Sequence, residues 1–189
     1  MKKETDKRVE ANKLVKIKIG RALVKLMETQ KFSDITITQI VQQAGVARAS
    51  YYRNFSSKEE VLSIITEDIW VDYQHRTSML KQSFFSYDSV LLAFRYFRTY
   101  KRFMLSVYNA GLSSIYLEML DQLTEQMAGD MAINDIKRYS IYYYSGALFN
   151  VFLKWLENGM KERPEEMADM FYNLIPDDFP LKNNTADYD

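Results

Sequence analysis

The chain has 189 residues, no cysteine and a single histidine, His75, so it can form neither a disulfide nor a thiolate metal site, and one imidazole cannot anchor a typical transition-metal centre. Its 25 basic residues balance 25 acidic ones, but residues 1–60 carry 13 Lys and Arg against 7 Asp and Glu, and residues 61–189 carry 12 against 18. A basic head on an acidic body points to a polyanionic partner for the head. No apolar run approaches the roughly 18 to 20 residues of a membrane span, so a cytoplasmic location is expected.

Three prolines, six glycines and apolar residues recurring at helical spacing predict an all-α fold. The first helix is expected over about residues 6–29, with Val9, Leu14, Ile17, Ala22, Leu23, Leu26 and Met27 as its buried stripe. Lys2, Lys3, Lys7 and Arg8 form a basic arm, suited to a minor groove or flanking backbone and equally to plain solvation. Thr36 is placed to cap a second helix whose apolar face is Ile37, Ile40, Val41 and Ala44. Gly45 ends it in the left-handed conformation that a Cβ disfavours.

A short third helix, about residues 47–54, turns Val46, Tyr51 or Tyr52, and Phe55 inward and leaves Arg48, Ala49, Ser50 and Asn54 outward. So short a helix does not stand alone; it is a presented element, as in the helix-turn-helix layout that enters a DNA groove. Ser56-x-x-Glu59 and Ser57-x-x-Glu60 both have the spacing of capping boxes, and start a helix that runs through Val61, Leu62, Ile65, Ile69 and Trp70 toward Arg76. Lys58 sits in the first turn of that helix, where a cation opposes the macrodipole. An incoming phosphate accounts for it better than intrahelical stability does, with a solvated surface lysine as the alternative. Arg48 is the one long side chain with base-reading potential, suited to a bidentate contact to guanine, with a phosphate contact or plain solvent exposure as the alternatives.

The body follows. SFFSYDS supplies a loop with caps, and one helix is predicted over residues 90–107, broken by Asn109-Ala-Gly111. Ser113 or Ser114 caps the next, to about Met127, residues 129–134 turn, a long helix spans 135–158, and Pro164 opens the last, to Ile175. The tail beyond residue 176 shows no packing face and is expected to be disordered. The expected domains are thus a helix-turn-helix domain at 1–58, a helical regulatory and dimerisation domain at 59–176 and a tail at 177–189, with the first boundary inside one helix.

Aromatic side chains of the body either line an apolar ligand cavity or simply fill the core; Phe94, Phe97, Tyr100, Phe103, Tyr143 and Phe149 are the candidates for a small apolar or aromatic effector. The 135–158 helix is apolar around most of its circumference and needs two partners. Tyr143, Gly146, Ala147 and Val151 are the candidate face for a second copy of the chain. Enzyme chemistry lacks its parts: there is no glycine-rich phosphate loop and no nucleophile elbow, and the Glu59-Glu60 and Glu165-Glu166 pairs sit at helix starts, where the dipole explains them. No cofactor is implied.

The run Ile35-Thr-x-x-x-Ile40-x-x-x-Ala44-Gly45-Val46-x-Arg48-x-x-x-Tyr52-x-x-Phe55-x-x-Lys58-Glu59 closely resembles the N-terminal signature of the tetracycline-repressor (TetR-like) transcriptional regulators, over about residues 8–65. Gly146, Trp155-Leu-Glu-Asn-Gly159-Met and Pro164-Glu-Glu-Met167 look like the ending of one TetR-like C-terminal subfamily. The resemblance implies a homodimer on a palindromic double-stranded DNA operator, with a recognition helix in each of two successive major grooves. It places Thr36, Thr38, Ala47, Arg48, Ala49, Ser50, Tyr52, Asn54 and Lys58 toward DNA. Ala47 stands where Ser or Thr is common and Asn54 where His is frequent, so one phosphate contact is lost and another altered. The body then either senses a small molecule, most simply in a repressor, or docks a protein as a coactivator or adaptor.

Overall fold

The structure is a computed structural model that describes the backbone of residues 2–179 and 182, and the side chains of 10–179 and 182. It is all-α, with no strand among the described residues: α1 (Lys2–Met27), a 3-10 turn (Phe32–Asp34), α2 (Ile37–Ala44), α3 (Arg48–Asn54), α4 (Lys58–Ser78), α5 (Tyr87–Thr99), α6 (Lys101–Asn109), α7 (Ser114–Ala128), α8 (Ile136–Glu157) and α9 (Pro164–Leu174). The chain divides into two compact units. One runs to Asp68 and includes Ser106–Ser113; the other holds Ile69–Leu105 and the chain from Ser114. The division falls inside α4, after Asp68.

The first unit is built on α1, α2, α3 and the start of α4. Ile19, Ala22 and Leu23 of α1 are buried with Ile35, Ile40, Val41, Tyr51, Phe55, Val61 and Leu62. Leu14 and Ile17, expected in the buried stripe, are exposed, and the stripe is carried by Ile19 instead. Gly20 lets α1 approach α4: a Cβ there would stand 2.7 Å from Cδ1 of Ile65. The side chains of Lys2, Lys3, Lys7, Arg8 and Val9 lie outside the described residues.

The second unit is a helical bundle. Its α5 packs along α9, where Arg95 donates to Oε1 of Glu165 from Nε at 3.0 Å and Nη2 at 2.7 Å, and the Tyr87 and Tyr172 rings meet edge to face. Against α7, α8 is tied by Arg138, which bonds Glu125 and, at 2.8 Å, the carbonyl of Met131. The helix expected over 90–107 is two helices, broken at Tyr100, whose backbone (φ −100, ψ 14) leaves the helical region without a glycine or proline. The tail is packed further than its sequence suggests. Phe179 is buried against Phe85 and Tyr144, and the buried Lys182 donates to the Ile175 carbonyl at 2.5 Å and to Asp177 at 2.7 Å. The expectation of disorder beyond 176 therefore does not hold at these positions; residues 180, 181 and 183–189 lie outside the described residues.

Candidate nucleic-acid interface

The local chemistry that presents α3 starts at the entry to α2. Thr36 Oγ1 accepts from the Gln39 amide at 3.2 Å while the Gln39 side chain accepts from the Thr36 amide at 2.8 Å, a reciprocal cap that satisfies donors at both ends. Thr-x-x-Gln was readable as that signature, yet Gln39 was not singled out in the sequence. Gly45 closes α2 at φ 63, ψ 39, with its amide bonded to Gln42 O and that of Val46 to Val41 O. After this turn α3 is anchored from below: Tyr51 is fully buried, edge to face with Tyr52 and beside Phe55, and burial pushes its phenol up to about 12. Of the two candidate inward tyrosines it is therefore Tyr51 that packs, whereas Tyr52 is 51% exposed.

The outward face holds a small polar assembly. Arg48 donates from Nη1 to Thr38 Oγ1 at 3.3 Å and from Nη2 to Tyr52 Oη at 3.1 Å, and its guanidinium carbon stands 5.6 Å over the Tyr52 ring. The base-reading candidate is thus steered by one residue of α2 and one of its own helix. The Tyr52 oxygen accepts from Arg48, so its own proton remains to donate outward. Thr36, Thr38, Ala47, Arg48 and Ala49 are exposed and Ser50 is half-buried. Asn54 is turned back on its helix, with Nδ2 donating to Ser50 O at 2.8 Å. Ala47 makes no side-chain cap, as its identity dictates.

Lys58 departs from expectation. Its ammonium does not stand free at the head of α4 but donates to the carbonyls of Phe32, Ser33 and Ile35 at 2.5, 3.1 and 2.9 Å, above the Phe32 ring at 4.6 Å. The reason is the α1–α2 turn: its carbonyls converge on α4 from 23 to 26 residues away, a pairing that no local pattern reveals. The capping of α4 is also shifted. Ser57 Oγ accepts from the Glu60 amide at 3.1 Å, but the Glu60 carboxylate takes its bonds from the amide and hydroxyl of Ser56, which hold it below the usual carboxylate range.

In the second unit the effector candidates separate. Phe94, only 1% exposed, meets Trp155 edge to face at 5.4 Å, and Phe97 lies 4.8 Å from Tyr73 and 5.6 Å from Phe152. Phe103 is buried, Tyr100 and Phe149 are half-buried, and Tyr100 lies against Tyr96. Tyr143 does not join them. It is 69% exposed on the outer face of α8 with Ile136 and Tyr139, because the inner face of that helix is taken by Ile141, Ser145, Phe152, Trp155 and Leu156. The same outer face carries Gly146, where a Cβ would meet nothing within 4 Å, and the half-buried Ala147 and Val151. His75 lies on the exposed side of α4. Sequence reasoning missed the buried polar edge of α5, where Tyr96 Oη lies 2.8 Å from Ile69 O and 2.7 Å from an oxygen of Asp72, which also takes Arg76 at 2.8 Å. Burial, the neighbouring Tyr100 hydroxyl and the Asp72 bond raise the Tyr96 phenol, and the Arg76 bond lowers Asp72.

Comparison with known proteins places these observations. Residues 19–63 match the family described as bacterial regulatory proteins, tetR family, and residues 86–177 match a family described as transcriptional regulator C-terminal region. Among solved structures, the dihydroxyacetone kinase operon activator DhaS is similar, with a TM-score of 0.62 at 19% identity over 85% of this chain and 93% of that one. No curated protein matches the chain. No described helix is long and apolar enough to cross a membrane.

Proposed function

We propose, on the premise that the chain belongs to the TetR family of transcriptional regulators, that it binds a palindromic operator as a homodimer and represses, releasing DNA when a small apolar or aromatic ligand enters its second unit. One observation carries the operator reading: Arg48, at the exposed start of α3, is held toward the surface by Thr38 and Tyr52. Such a fork suits the two acceptors of a guanine edge. Thr36, Thr38, Ala47, Ala49, Ser50, Tyr52 and Asn54 surround it as backbone and groove contacts. Sequencing the genomic DNA that co-purifies with the protein tests the reading. The expected result is an enriched palindrome whose half-site centres are one helical turn apart, about 34–36 Å; no enrichment refutes it. Transcript levels of the neighbouring genes in a deletion strain fix the sign, since repression requires a rise.

A second reading of the body, docking of a protein partner, is favoured by the ring-to-ring packing of Phe94 and Phe97 and by the exposed Ile136, Tyr139 and Tyr143. Calorimetry separates the two. An effector that releases DNA must bind less tightly when operator is present, by the same factor with which it weakens operator binding. Equal effector affinity with and without operator removes the small-ligand reading and leaves the docking one.

A further inference from the structure

An ammonium has three N–H donors and no acceptor, and at Lys58 all three are used within the protein: the acceptors are the carbonyls of Phe32, Ser33 and Ile35. Those carbonyls belong to the 3-10 turn and to the residue immediately before Thr36, so the contact fixes the point at which the chain enters α2. From there a bonded path leads to the DNA-facing surface. Thr36 caps α2, Thr38 stands in its first turn, and Thr38 Oγ1 accepts from Arg48. The side chain that the helix-dipole argument assigns to a phosphate is therefore engaged at the rear of the proposed DNA-reading surface.

We propose that Lys58 is a positioning residue: it staples the α1–α2 turn to the head of α4, thereby setting where Thr36, Thr38 and Arg48 stand, and is not itself a phosphate ligand. The proposal rests on the operator-binding reading of the first unit. It also explains why lysine is the residue here. A compact ammonium can aim three N–H groups at three carbonyls converging on one atom, whereas the planar guanidinium fork spreads its donors over three nitrogens.

Two variants of the full chain test this, Lys58→Met and Lys58→Arg. The first keeps the stem over Phe32 but has no donors; the second keeps the charge but not the geometry. Each is titrated with the enriched operator across a salt series, and amide exchange is followed at Asp34 and Ile35, whose N–H groups bond Lys31 O and Phe32 O in the turn. For a staple, both variants lose affinity by about tenfold, the scale of one disturbed base contact, with the wild-type log–log salt slope and faster exchange at the turn. For a phosphate ligand, Lys58→Met lowers the slope by about two counterions per dimer and Lys58→Arg binds like wild type, which overturns the proposal. Unchanged affinity in both variants overturns it as well. Should Lys58→Met fail to fold, Lys58→Arg carries the test, because charge and most of the stem remain. A wild-type protein that binds no operator refutes the operator reading alone; turn exchange unaltered in the variants refutes the staple alone.

Discussion

Replacing Arg48 by alanine should leave the protein folded and cost it its sequence preference. In the free protein the guanidinium makes only surface contacts, two hydrogen bonds at 3.3 and 3.1 Å and a cation–π contact at 5.6 Å. An exposed contact of that kind contributes about 0.5–1 kcal/mol, so the melting transition should move little. In the complex a bidentate pair to guanine is worth about 1–3 kcal/mol per half-site. A symmetric dimer has two half-sites, so the loss is about 2–6 kcal/mol, or roughly 30-fold to 20,000-fold in affinity. Fluorescence anisotropy with the enriched operator and a set of single-base variants measures it. The arginine variant should bind the consensus and the operators altered at one symmetric base position with nearly equal affinity, while the wild type discriminates between them. Tyr52→Phe should show a smaller loss of the same kind, since it removes one of the two acceptors that steer the guanidinium. If Arg48→Ala weakened every operator alike, with an unaltered selected motif and a lower salt slope, Arg48 would be a phosphate contact and the argument from its orientation would be refuted.

Gly45→Ala should destabilise the first unit by about 1–2 kcal/mol, because φ is 63° there and the surrounding space is empty, so the cost is that of the backbone alone; chemical denaturation checks it, and an unchanged midpoint would contradict the left-handed cap. Tyr143→Glu should give monomers of unchanged helical content, since this side chain is exposed within the protomer and sits on the proposed dimer face; sedimentation should show the wild type as a dimer and the variant at half its mass. Glu60 has a folded-state pKa lowered by its bonds from Ser56, so its stabilising contribution is present above the ordinary carboxylate value and disappears as pH falls below that value through the lowered one. The acid limb of the stability profile should accordingly flatten in Glu60→Gln, and identical acid limbs in the two proteins would refute the pairing.

Much of the first unit was legible because its determinants are local. Thr36 and Gly45 specify the limits of α2 through their own backbone and side-chain chemistry, and Pro164 does the same for the start of α9. Asp135, the cap of α8, belongs with them. What the sequence did not show has a different origin. The carbonyls that Lys58 bonds lie in the α1–α2 turn, beyond any sequence window, and the break at Tyr100 has no glycine or proline to announce it. In α8 the apolar residues encircle the helix, so periodicity could not say which stripe faced inward; Tyr143 was therefore assigned to a cavity as readily as to an interface. The tail failed for the opposite reason. A single aromatic, Phe179, suffices to pack it where Phe85 and Tyr144 provide a surface, and one side chain makes no pattern.

The packing of the second unit sets what the proposed small-molecule effector would have to do. Phe97 touches four rings, those of Trp70, Tyr73, Tyr96 and Phe152, with centroids 4.8 to 6.4 Å away. Aromatic pairs are worth about 0.5–1.5 kcal/mol each beyond the area they bury, so a ligand that displaces Phe97 has about 2–6 kcal/mol of ring contact to restore. A ligand that carries a planar aromatic group can restore ring contacts of this kind. The buried indole N–H of Trp155, which has no hydrogen-bond partner, would reward a ligand bearing one acceptor, since it is a donor already removed from water. A protein partner faces no such demand, because Ile136, exposed by 77%, and its neighbours on α8 already face outward and need only be covered. That same face is the proposed seat of the second copy of the chain, so a docking partner competes with dimerisation unless it binds elsewhere. A body regulated by docking on this face would therefore control operator binding through assembly, whereas one regulated through Phe97 would have to favour one arrangement of an intact dimer over another.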